Sequence, residues 1–70
     1  MASTPTTAEL MSTIVRLEQK YRRYDKATAL FAVYEKLCER FEEDLAQERD
    51  VLLSKAAALM VIKYWVEQAA

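Results

Sequence analysis

Glycine is absent from this chain, and so is histidine. Without glycine there is no phosphate-cradling loop, no nucleophile elbow and no dinucleotide-binding fingerprint, since each needs backbone that only glycine supplies cheaply. Tight hairpins lose their favoured residues as well. Without histidine the common zinc sites are excluded. The single cysteine, Cys38, cannot close an intramolecular disulfide and fits a reducing compartment. The only proline is Pro5, so nothing after it forces a helix to stop. The opening MASTPTT has neither the basic nor the apolar region of a secretory signal, and a cytoplasmic location is expected.

What remains is rich in Ala, Leu, Glu, Lys and Arg, all good helix formers, and the expected fold class is all-α. Seventy residues make one domain. A core of that size seldom supplies more than about 3–5 kcal/mol, and the usual supplements are disulfides, metals or oligomers. With the first two excluded, a partner chain or self-association is left. No cofactor, metal or catalytic set is expected. The net charge of −1 argues against a polyanion binder.

The most apolar stretch is VLLSKAAALMVIKYWV, residues 51 to 66, in which Ala56 to Ile62 carry no polar side chain. On a helix its apolar side chains point nearly all round, which calls for neighbours on several faces. A membrane span needs roughly 20 apolar residues, and Lys55 and Lys63 bracket this run, so no span is expected.

Residues 1–5 read as a disordered lead and 6–70 as one helical domain. Thr6 with Glu9 is a capping box that starts a helix. A stripe of Leu10, Ile14, Leu17, Tyr21 and Tyr24 follows at coiled-coil spacing, with Glu18 and Arg22 as an i,i+4 pair. Leu30, Phe31, Tyr34, Leu37, Cys38, Phe41 and Leu45 form a second stripe. It is out of phase with the first by on the order of 120°. Two readings stay open. A break near Arg23 to Ala27, with Asp25 as the new N-cap, gives an antiparallel bundle of three helices over about 7–24, 27–43 and 47–68. A continuous first helix gives a two-helix hairpin instead. The acidic run Glu42, Glu43, Asp44 suits a helix start better than an end. It places a turn around Glu43 to Ala46, with Asp44 and Gln47 as a second capping box.

Charge is uneven. Residues 16–26 hold five basic side chains (Arg16, Lys20, Arg22, Arg23, Lys26) against two acidic ones, a net +3. Residues 35–50 hold seven acidic side chains against Lys36, Arg40 and Arg49, a net −4.

Each feature with a chemical reading has a plainer one. Cys38 lies on the apolar face of the middle helix, where it reads as a small buried hydrophobe, and neighbouring Glu35, Glu39 and Glu42 disfavour a thiolate. The run Tyr21-Arg22-Arg23-Tyr24-Asp25-Lys26 has the basic and aromatic mix of a nucleic-acid binder. Its tyrosines sit on the core stripe, however, and an acidic segment follows, so nucleic acid is not the expected partner. Glu39 and Glu43 have no accompanying ligand set and read as a solvated acidic face. Tyr64 and Trp65 either close the core or anchor an interface, where such residues are enriched.

In the last helix, Gln47-Glu48-Arg49-Asp50, Leu52-Leu53 and Ala56-Ala57-Ala58-Leu59-Met60-Val61-Ile62-Lys63-Tyr64 resemble the C-terminal helix of the small co-chaperones of type III secretion needle subunits. The region before the acidic turn is longer here than in that family. The resemblance implies a stoichiometric binding protein. It would stabilise a larger, tetratricopeptide-like chaperone and help keep a needle subunit monomeric in the cytoplasm. The residues matching that role are Leu52, Leu59, Ile62, Tyr64 and Val66. The apolar pattern by itself adds Phe31, Tyr34, Phe41 and Trp65 as expected partner-binding residues. The competing expectation is a self-associating helical bundle, a homodimer acting as regulator or adaptor.

Overall fold

The computed structural model describes residues 4–68 and is an all-α bundle. Helix α1 spans Thr7–Arg22, α2 Thr28–Asp44 and α3 Glu48–Gln68, and a short 3-10 turn, Asp25–Ala27, joins the first two. Of the expected disordered lead, residues 1–3 lie outside the described residues. The expected capping box starts α1. The Glu9 N–H donates to Thr6 Oγ1 at 3.1 Å, and the Thr6 N–H donates to Glu9 Oε1 at 3.2 Å.

The break falls where the two stripes change phase. Arg23 is still right-handed, Tyr24 is extended at φ −89° and ψ 116°, and the next residues turn helical again. No described residue has a positive φ. This explains why no glycine marks the site: one extended residue turns the chain within dihedrals open to any side chain. A straight helix could have laid only one of its two stripes on α3. Broken at Tyr24, both reach it, burying Leu10, Ile14, Leu17 and Tyr21 from α1 and Phe31 and Tyr34 from α2. Ala27 fills the corner and is fully buried, where a larger side chain would push the helices apart.

Two cap assignments are corrected. Asp25 does not cap α2: it opens the 3-10 turn, and the residue before α2 is Ala27, with no side-chain cap. The acidic run does not open α3, because Glu42 and Glu43 lie in α2 and the turn follows at 45–47 instead of Glu43 to Ala46, and Asp44 does not start α3 either. It ends α2, where its carboxylate lies 3.5 Å from Arg40 one turn back. That ion pair offsets the unfavourable meeting of an acid with the negative end of the helix dipole. The chain then turns through extended Leu45, and the Val51 N–H donates to the Gln47 carbonyl at 3.1 Å.

Helix α3 is the shared neighbour. Both α1 and α2 pack mainly on it and touch each other much less. Helices α2 and α3 run antiparallel, with Lys55 near Glu42 at 3.5 Å and Ile62 beside Leu30 and Tyr34. Principal extents of 33 × 32 × 17 Å describe a flat slab about two helices thick. Helix α3 buries one ridge, Leu52, Leu59, Ile62 and Val66, beneath the other two helices. Its back is left without a neighbour among the described residues.

Candidate protein-binding surface

The back of α3 is where apolar side chains and water meet. Leu53, Met60, Val61, Tyr64 and Trp65 are all exposed, Tyr64 at 65% and Val61 at 63%. Val33 and Leu37 of α2 continue the face and are exposed too. Between the two helices runs an apolar groove of about 160 Å³, lined by Leu30, Val33, Tyr34, Leu37, Ala58, Val61 and Ile62. The helical repeat explains the division. On α3 the ridge 52–59–62–66 points inward, so Met60 and Val61 between its members must point away. Isolated exposed apolar residues are ordinary, but a contiguous set on one face marks an interaction surface.

The nine expected partner-binding residues divide in two. Phe31, Tyr34, Leu52, Leu59, Ile62 and Val66 are buried in the chain's own core, and a partner would meet them only if the helices parted. Phe41 is half-buried, and Tyr64 and Trp65 stand on the exposed face. Exposed apolar surface is thus not confined to the aromatic end of α3. Val33, Leu37, Leu53, Met60 and Val61 belong to it and were not among the expected partner-binding residues. The available signal was their position off the buried ridges, which requires knowing which ridge is buried.

A second concavity, about 560 Å³, opens between α1 and α2 above Lys55. Its wall holds a polar bridge. Tyr34 Oη donates to Glu18 Oε2 at 2.6 Å, linking α2 to α1. Glu18 is thereby turned toward α2, and Arg22 lies over the Phe31 ring with its guanidinium carbon 5.2 Å from the centroid. The expected Glu18–Arg22 pair is not among the ion pairs of the described residues. Burial first, then the Glu18 carboxylate, push the Tyr34 phenol far above its ordinary range. Burial also raises the Cys38 thiol. Carboxylates at Glu18 and Glu42 add to this, while hydrogen bonding with Tyr34 and the charge of Lys55 work the other way. A half-buried, protonated thiol is a poor nucleophile, in keeping with the packing role read from the sequence.

The basic turn offers no stacking platform at Tyr21, whose ring is buried. Tyr24 departs from the expected stripe: it lies outside α1, half-exposed, with its ring tilted 5.4 Å from that of Tyr21. Among the described residues no acidic or cysteine cluster could hold a metal ion, and no helix is long and apolar enough to cross a membrane.

No protein-family model matches the chain, and no curated protein or solved structure matches it either.

Proposed function

We propose that the chain is a non-enzymatic helical binding protein, a co-chaperone or adaptor that covers apolar surface on a larger helical partner. The observation that carries this reading is the exposed face of α2 and α3, with Val33, Leu37, Val61, Tyr64 and Trp65 in water. A flat slab can lay one broad side along another helical protein without opening its own core. The resemblance of α3 to the needle-subunit co-chaperones supplies the kind of partner: a tetratricopeptide-like chaperone, with a secretion needle subunit as client. In such a complex the chain would complete the apolar surface of the chaperone and perform no chemistry.

Co-expression with the tetratricopeptide-like chaperone of its own organism, followed by gel filtration with light scattering, tests the reading. A stoichiometric complex that withstands gel filtration, and that Val61→Asp disrupts, is expected. Failure to associate, or a complex indifferent to Val61→Asp, would remove the co-chaperone reading.

A further inference from the structure

We propose that a second copy of the chain covers the α2/α3 face while the larger partner is absent, in an antiparallel twofold dimer centred on Val61. The inference rests on the reading of this face as a protein-binding surface. Three observations select a second copy.

The first is area. The seven exposed apolar side chains of α2 and α3 are 40–65% exposed. Together they leave on the order of 600 Å² in water, the upper end of what a monomer carries and close to one side of a standard interface.

The second is shape. Along the outer stripe of α3, Ala57, Val61 and Trp65 follow one another at successive turns. A twofold interface brings residue i to j and j to i. With the axis at Val61, the Trp65 of each copy comes over the Ala57 of the other, so the largest side chain of the stripe meets the smallest. Ala57 is exposed and Ala58 lines the groove, leaving room for an indole.

The third is charge. The net-positive zone ends at the Arg23–Lys26 turn, and the acidic Glu43 and Asp44 lie at the opposite end of α2. That helix separates them by about 25 Å. An antiparallel pairing places each basic end near the other copy's acidic end, and a parallel pairing would set like against like.

The test uses the full chain with Cys38→Ser, so that an introduced thiol is the only one. Val61→Cys sits on the proposed axis, where two copies of one residue meet, and Val15→Cys on exposed α1 is the control. Under mild oxidation Val61→Cys should form a disulfide-linked dimer in high yield and Val15→Cys should not. Without the thiol changes, sedimentation equilibrium should show a dimer that Trp65→Asp and Ala57→Glu convert to a monomer of unchanged helical content. Ala57 is exposed and mid-helix, so its replacement keeps the test independent of folding. A monomer at submillimolar concentration overturns the proposal. So does a dimer that cross-links through Val15→Cys, or one that survives both substitutions. The parent reading fails separately. If the Val61→Cys disulfide dimer binds the chaperone as tightly as the reduced chain, the dimer stands and the shared binding face does not.

Discussion

Tyr34 is the residue on which most of the internal polar order turns. Its ring packs in the core 5.2 Å from that of Phe31, and its hydroxyl bridges to Glu18 across two helices. Hydrogen bonds to a charged group contribute about 1.5–3 kcal/mol, and Glu18 is only partly screened from water, so the lower end applies. Tyr34→Phe should therefore lower the thermal midpoint by several degrees, read by circular dichroism. Burial and Glu18 raise the phenol above its ordinary value near 10 in the folded chain. The neutral form is favoured on folding, so this stability is complete below that pH and is lost as pH climbs above it, where the unfolded tyrosine ionises first. The raised Cys38 thiol acts with the same sign from its ordinary value near 9. Urea unfolding between neutral and strongly alkaline pH should show a steeper loss for the native chain than for Tyr34→Phe. Equal slopes would mean that the phenol carries none of the alkaline sensitivity. The small, packing character of Cys38 was readable from its place on an apolar stripe. The Tyr34–Glu18 bridge was not, because it joins residues 16 apart and exists only once the chain has turned at Tyr24.

At the scale of helices, the Thr6 cap and the two stripes, Tyr24 apart, were legible because each is a local pattern, whereas the acidic run Glu42 to Asp44 proved to end α2 rather than to open α3. The phase shift between the stripes located the break to within a few residues. Reading Asp25 and Asp44 as caps failed for one reason: a side chain suited to capping caps only if the backbone extends there, and packing on α3 decided where it did. Thr6→Ala removes the hydroxyl that accepts from the Glu9 N–H and keeps the backbone donor to Glu9 Oε1, and it should cost about 1 kcal/mol. For a domain this small that corresponds to a fall in thermal midpoint of roughly 4–8 °C. The two sides of α3 give a sharper contrast. Leu59 is fully buried, and Leu59→Ala should cost about 2–5 kcal/mol, enough to unfold most of a small domain. Val61 is largely exposed, and Val61→Ser should change the stability of the isolated fold by no more than about 0.5 kcal/mol. Chemical denaturation of both at low concentration checks this. Similar losses at the two positions would mean that the back of α3 is not a free face. An all-round apolar helix does not itself say which side is buried, and four of the nine expected partner-binding residues, Leu52, Leu59, Ile62 and Val66, lie on the ridge of α3 that the core covers.

The whole molecule is a slab with a broad apolar side left in water. The three helices close a core around α3, yet they leave its back and the adjoining side of α2 in water. The proposed binding, to a larger helical chaperone or to a second copy in its absence, would use that side. The most direct measurement is calorimetric titration of the chaperone with the native chain, Trp65→Ala and Val61→Asp, each first shown by circular dichroism to be folded. If the α2/α3 face is the contact, loss of the exposed indole should weaken binding by about 2 kcal/mol or more, roughly 30-fold in Kd, and Val61→Asp should abolish it. Affinities within twofold of the native chain for both folded variants would contradict the assignment of this face.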